Sequence, residues 1–415
     1  MKSGYFPRIL SVLMCCAAIL SGCGNAVPAK QADLSYTQTD FNAAAIPSSV
    51  RVVGLGEASH GVKEYQAMKA EVFQKLAEAG KCRTFIIEGD FGGALKVDEY
   101  IHGGNGTARE AVEEIGFAIY RTEEMAALVD WMRDRNETAA PEDDLHFFGM
   151  DIQRFDNNKE ILFSILEEAA PGLYDKYTEA LSELTDENRT ELVAEALDRG
   201  KETASELLSE MDTMESDIVK ISGQTAFDFA RECAKTIYAC CDVQASSAYN
   251  AVRDQYMLEK IEWFLEHGDD CMLFINGHNG HIQKTSAAGY TCLGELLADS
   301  LKDAYYAIGT DAQITAFHSQ NSDGFDVVEV SNQNELNCQL NNTENGRYFI
   351  DFSQAAPDKT WSDILNSRQP ITTLNVSLSG LQKLIKAAYT TTVIPARAFD
   401  GMIVFQSVSP TTLIP

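Results

Sequence analysis

Seven short apolar runs, spaced by longer stretches of helical periodicity, constrain this chain of 415 residues more than any other feature. They lie at 50–55, 84–87, 145–150, 271–275, 304–309, 347–352 and 401–405. Behind the first, Tyr65, Met68, Val72 and Leu76 recur at nearly one helical turn, the mark of an amphipathic helix. Further helical segments follow at 96–101, 108–115 and 123–136. Strands separated by whole helices are joined by crossovers and therefore pair in parallel. The pattern predicts an α/β fold, a mostly parallel central sheet flanked by helices. Between about 157 and 264 no strand run occurs, only long amphipathic stretches rich in Glu, Asp, Leu and Ala, which predict a large helical insertion. It contains none of the seven histidines, and so suits a lid or wall over a pocket, or plain packing bulk.

The reactive side chains fall just past the strand runs. Glu57 and His60 follow the first, Glu88 and Asp90 the second, Asp151 the third, His278 and His281 the fourth, and Asp311 the fifth. In an open α/β sheet the carboxyl ends of the strands share one edge, where ligands bind, so residues some 220 positions apart are expected to meet there. Gly54-Leu55-Gly56-Glu57-Ala58-Ser59-His60-Gly61 sets an acid three residues before a histidine in a sharply turning loop. An imidazole is a suitable general base near neutral pH, and a carboxylate neighbour stabilises the cation it becomes. His60 is the first candidate base and Glu57 its partner. His278 and His281, three residues apart, share a face if their segment is helical; they are candidates to polarise a carbonyl, position water or bind metal. His102, His146, His267 and His318 sit in weaker contexts, and His146, inside a strand run, reads as structural. No GxSxG elbow is present, and Ser59 beside His60 does not by adjacency make a triad.

Asp and Glu number 62 against 33 Lys and Arg, a net charge of -29. A protein that neutralises phosphate needs the opposite balance, so nucleic acid is excluded as a partner. At the N-terminus Lys2 and Arg8 precede an apolar run at 9–20, too short to span a bilayer as a mature helix. It ends in Leu20-Ser21-Gly22-Cys23, which resembles the lipobox of bacterial lipoproteins and implies a lipid on Cys23. Residues 1–22 are expected to be a signal peptide, 23–45 a lipidated Cys and flexible tether, and 46–415 one α/β domain. The protein is then extracytoplasmic and held to the bacterial membrane by its N-terminal lipid. Seven cysteines remain, at 82, 233, 240, 241, 271, 292 and 338, with no CxxC pair; most are expected as buried thiols, and one disulfide stays open.

Taken together, GEASHG (56–61) with Glu64-Tyr65 and Lys69, IIEGDF (86–91), YIHGG (100–104) and YRTEEMAALVDWMRDRN (120–136) resemble the erythromycin esterase family. FFGMDIQ (147–153), Arg253-Asp254 with Met257, INGHNGHI (275–282) and AFDGMIVFQSVSPT (398–411) continue the likeness, from about residue 40 to the end. The resemblance implies hydrolysis of a lactone or carboxylic ester by water that a histidine activates, with no covalent acyl-enzyme. It places the catalytic set at His60, Glu57, His278, His281 and Glu88, with Lys69, Arg253 and Asp151 as substrate-binding residues and no cofactor. Where the family often carries Arg, this chain has Lys69, a point charge in place of a planar fork.

Two other readings stay open. The same residues, His60, His278, His281 and Glu57, form a plausible donor set for Zn²⁺ or Mn²⁺ with an open position for water. Alternatively the cleft belongs to a lipoprotein that binds its ligand without turning it over. Members of the family need not act on macrolides, and nothing in the insertion spells out a substrate.

Overall fold

The computed structural model describes residues 30–268, 271–342 and 346–415. A short edge strand β1 (Thr37–Gln38) precedes β2 (Val52–Glu57), α1 (Lys63–Glu78), β3 (Cys82–Asp90), α2 (Phe91–Ile101), α3 (Ala108–Glu114), α4 (Glu123–Asn136) and β4 (His146–Asp151). The insertion follows as α5 (Asp156–Ala169), α6 (Pro171–Ala180), α7 (Ala194–Thr213), α8 (Glu215–Ser222), α9 (Gln224–Ala245) and α10 (Tyr249–His267). The chain then returns to the sheet with β5 (Met272–His278), α11 (Asn279–Ile282), α12 (Leu293–Leu301), β6 (Tyr305–Asn321) and β7 (Gly324–Ser331). It closes with β8 (Arg347–Asp351), α13 (Phe352–Ala355), α14 (Lys359–Leu365), β9 (Gln369–Thr372), β10 (Thr390–Val393), α15 (Pro395–Ala398) and β11 (Gly401–Val408).

The strands order as β1-β8-β11-β6-β2-β5-β3-β4, with β7 paired to the far end of β6. From β11 to β4 every pairing is parallel, whereas β8, β1 and β7 join antiparallel. All seven expected strands are present. Side chains of a strand alternate between faces, and this separates two cores. Val52, Ile86, Leu273, Ile275 and Met402 pack with Leu166, Leu207, Ile237 and Phe264 of the insertion. Val53, Phe85, Phe147, Phe274 and Ile403 pack with Val72, Phe73, Val129 and Met132 of α1 and α4. Burying each of these large side chains stabilises the fold by roughly 1.5–3 kcal/mol, so the insertion is one of the two layers covering the sheet.

Two expectations change. The fifth strand runs far past 309, to Asn321, and turns through Ser322-Asp323 into β7, which is mostly exposed and lacks a strong apolar alternation to mark it. The stretch read as a tether lies against the body from Lys30 onward. Ala32 N–H donates to Gln339, Trp361 Nε1 donates to the Asp33 carbonyl, and β1 pairs with β8. Phe41 is buried against Phe349 with ring centroids 5.3 Å apart: an open sheet edge and an apolar anchor outweigh the loop-like composition. Cys23 and the signal segment lie outside the described residues. The seven other cysteines are thiols, five of them buried.

Candidate active site

Parallel pairing of β2 with β5 sets Glu57 directly beside His278. The chain then turns out of β2, and Gly61 carries a φ of +70°, where a Cβ would meet the His318 carbonyl oxygen at 2.8 Å. Gly56 is equally constrained, since a Cβ there would fall 2.3 Å from Asn279 Oδ1. Asn279 in turn ties the β5 end to β6 by donating to the Thr310 carbonyl and accepting from the Thr310 N–H. These close approaches bring His60 and His278 together, their ring centroids 5.4 Å apart.

His60 Nδ1 lies 2.6 Å from Glu57 Oε1, which leaves Nε2 as the nitrogen free for chemistry. Lys69 Nζ, fully buried on α1, stands 2.9 Å from the other oxygen of Glu57. Burial raises the pKa of Glu57, but the charges of Lys69 and His60 outweigh it and hold the carboxyl at about 2. The carboxylate is therefore ionised and orients the imidazole.

His278 works differently. It caps α11, and its Nδ1 accepts the Gly280 N–H at 3.1 Å, so the proton of the neutral ring sits on Nε2. That Nε2 is buried with no hydrogen-bond partner. Burial, reinforced by His60, pulls the pKa of His278 down to about 3, and the ring stays a neutral donor. A buried donor without an acceptor costs about 1–3 kcal/mol, which a bound oxygen would relieve.

The register of β3 against β4 shifts between Ile87 and Asp90, an irregularity of the kind that re-aims side chains next to sites. Glu88 Oε2 accepts the backbone N–H of His278 at 2.7 Å, and Oε1 accepts from Arg253 Nη2 at 2.7 Å. Arg253 also donates through Nε and Nη2 to Asp151, at 3.0 and 2.7 Å, and its Nη1 lies 2.9 Å from His281 Nε2. His281 Nδ1 faces Asp254, 2.8 Å from the nearer oxygen. Burial disfavours a cation on His281, while Glu88 and Asp254 favour one and raise its pKa; the guanidinium at Nε2 requires a lone pair there, so the contact with Arg253 holds the neutral form.

All eight sequence-derived residues thus lie in one buried cluster, with different tasks. Lys69, Arg253 and Asp151, expected to bind substrate, spend their polar atoms on one another and on Glu57, Glu88 and His281, and Asp151 also accepts from Ile152 N–H and Gln153. They position the site. Asp90 and Asp311 face away from it: Asp90 caps α2 through Gly93 N–H and holds Asn158, while Asp311 anchors Asn334, Asn337 and Thr372. The insertion does more than cover the site, because α10 delivers Arg253 and Asp254 into it. Two residues went unassigned. Asp254 follows Arg253 in the quoted motif, and Tyr120 opens the segment 120–136. The Tyr120 ring meets His60 edge-on at 6.5 Å, and its buried hydroxyl has no partner. Burial and then Glu88 and Glu57 raise its pKa well above the ordinary value, so it is a neutral donor.

Toward Zn²⁺ or Mn²⁺, His60 offers the lone pair of Nε2, whereas Nδ1 of His278 accepts the Gly280 N–H, both nitrogens of His281 are engaged, and a guanidinium stands among the carboxylates. Among the described residues, the only three side chains whose ligand atoms come within 4.8 Å of one another are Asp98, His102 and His146.

Fold and site define an α/β protein whose buried pair of histidines, one backed by a carboxylate and one held neutral, lies at the carboxyl edge of a parallel sheet. The chain belongs to the erythromycin esterase family, whose model matches residues 77–408, and membership supports a hydrolase of that family's kind. It is similar to erythromycin esterase type II of Escherichia coli, 27% identical over 304 residues that cover 64% of this chain and 69% of that one. It is also similar to the putative hydrolase YbfO of Bacillus subtilis, 22% identical over 400 residues, 88% of this chain and 85% of the relative. Among solved structures, a Bacillus cereus protein superposes with a TM-score of 0.78 at 22% identity, covering 92% of this chain and 96% of that one. A mutant of the erythromycin esterase EreC in its open conformation gives 0.64 at 17%, covering 88% and 93%.

Proposed function

We propose that this protein hydrolyses a lactone or carboxylic ester with His60 as general base on water and without a covalent acyl intermediate. The observation that carries the reading is the complementary state of two adjacent imidazoles. His60 has its Nδ1 held by an ionised carboxylate, and beside it His278 keeps an unpartnered Nε2–H. Nε2 of His60 takes a proton as the water oxygen bonds to the carbonyl carbon; Glu57 stabilises the imidazolium. Charge building on the carbonyl oxygen is received by Nε2–H of His278, with the Tyr120 hydroxyl as a second donor. The carbon–oxygen bond then breaks, and the imidazolium returns its proton to the departing alkoxide. Glu88, through the His278 backbone N–H and Arg253, keeps the second histidine in place.

No cofactor is proposed: Arg253 supplies the positive charge that a metal would otherwise bring to Glu88 and Asp151. For location we propose a lipid anchor at Cys23, supported by the lipobox-like segment; fatty-acid labelling in cells that persisted in a Cys23→Ala variant would remove it. The activity test is mass spectrometry of macrolides, other lactones and acyl esters incubated with protein starting at residue 24. Gain of one water by a substrate, lost in His60→Ala, is the expected result. Ligands bound but recovered unchanged across the panel point instead to a binding protein.

A further inference from the structure

The segment YIHGG and the histidine at the start of β4 take no part in the chemistry above, yet they meet. Asp98 lies on α2, His102 is the C-cap residue four positions on, and His146 opens β4. The two imidazoles have centroids 4.9 Å apart. His146 Nδ1 is 3.4 Å from Asp98 Oδ1, and His102 Nδ1 is 3.5 Å from Asp98 Oδ2. One nitrogen from each ring and one carboxylate oxygen come within 4.8 Å of one another. Ligands of a tetrahedral Zn²⁺ sit about 3.4 Å apart, given bonds of about 2.0–2.1 Å, so side-chain rotations of about an ångström would close the set.

We infer that Asp98, His102 and His146 form a binding site for a transition metal of the Zn²⁺ class, separate from the catalytic centre. Two imidazoles and one carboxylate are the borderline N/O donors that Zn²⁺, Ni²⁺ and Cu²⁺ prefer, and not the all-oxygen cage of Mg²⁺ or Ca²⁺. Water fills the remaining positions. His102 Nδ1 donates to the Asp98 carbonyl at 2.7 Å, which places the lone pair on Nε2; metal-bound histidines are oriented by such a second hydrogen bond. Asp98 Oδ1 accepts the Phe147 N–H at 2.8 Å, and the Phe148 ring stacks on His146 at 5.6 Å. From α4, Arg133 donates to the Tyr100 and Gly104 carbonyls on either side of His102. Asn136 donates to the Leu145 carbonyl and accepts its N–H next to His146. Both ligand-bearing segments are therefore braced before any metal arrives. The strongly acidic surface raises the local concentration of cations. The site lies at the amino end of β4, about 16 Å along the strand from Asp151 at 3.3 Å per residue.

The experiment uses chelator-stripped protein and Zn²⁺ itself, competed against a chromophoric chelator, with Co²⁺ absorption as a second readout. One equivalent is expected to bind wild type. His102→Ala and His146→Ala should weaken it by roughly 10- to 100-fold or more, since losing a ligand costs at least as much as losing an outer-shell partner. His60→Ala should bind metal as wild type does. Melting curves in chelator verify that the two surface variants fold. Absence of stoichiometric binding, or binding unchanged in both variants, overturns the site. Binding lost in His60→Ala instead transfers the metal to the catalytic cluster and overturns this inference together with the metal-free reading.

Discussion

Two pairs of imidazoles in this molecule have nearly equal spacing and opposite character. His60 and His278 lie 5.4 Å apart at the carboxyl edge, 7% and 6% exposed. His102 and His146 lie 4.9 Å apart beside the start of β4, with 28% and 40% of their side chains exposed. In the buried pair each Nδ1 is committed, to Glu57 or to Gly280 N–H, and the rings divide into a base and a donor. In the outer pair both rings face one carboxylate and can offer lone pairs to a shared cation. Spacing does not set what two histidines do; the partner of the other nitrogen and access to water do.

The comparison breaks most visibly at His60. His60→Ala should lower kcat/KM by about 10²–10⁴, the usual span for a general base, whereas His102→Ala should leave it unchanged; equal losses on one ester substrate would erase the distinction. His278→Ala should cost about 10²–10³ in kcat, as removal of an oxyanion donor does. Because His278 is held neutral down to about pH 3, its protonation should add no limb to the pH–rate profile between pH 5 and 8. Lys69→Met leaves Glu57 buried without its cation and should destabilise the fold by about 3–5 kcal/mol in urea titrations. A stability within 1 kcal/mol of wild type, an effect of about the size of an exposed pair, would show that the ammonium is dispensable.

Carboxylates sharpen the same contrast on one strand. Glu88 is held ionised by the Arg253 guanidinium and the His278 N–H against the effect of burial. Asp90, two residues on, has no cation in contact, and burial raises its pKa from 3.8 to about 7 despite the bonds from Gly93 and Asn158. The folded state therefore holds a proton there that the unfolded chain gives up. Stability from this group is complete below about pH 4 and is lost as pH rises through about 7. A tenfold difference in proton affinity between the folded and unfolded chain is worth about 1.4 kcal/mol, so wild type should be measurably more stable at pH 5 than at pH 8. Asp90→Asn should flatten that slope; an unchanged slope assigns it to other groups.

Much of the site was legible because two kinds of signal coincide. Glu57, His60, Glu88, His278 and His281 sit just past apolar runs, and strand ends in a parallel sheet share an edge. The same rule drew in Asp90 and Asp311, which the structure turns away to cap α2 and to anchor Asn334 and Asn337. Both aspartates are still paired within strands, opposite Asp151 and Val404, and the apolar runs do not record that β3 shifts register before Asp90 or that β6 continues past 309. Tyr120 carries no acid or base to attract notice, and its importance lies in a hydroxyl that burial leaves without a partner.

By itself the sequence determined the α/β class, the seven strands, the helical layer at about 157–264 and the acidic surface, because periodicity and charge are local properties of the chain. Tertiary structure decided which carboxylates stay charged, which nitrogen of each imidazole is free, that α10 lends Arg253 and Asp254 to the site, and that His102 meets His146. Those outcomes depend on groups brought together across long sequence separations and out of water, where burial and one neighbouring charge outweigh the intrinsic chemistry of a residue.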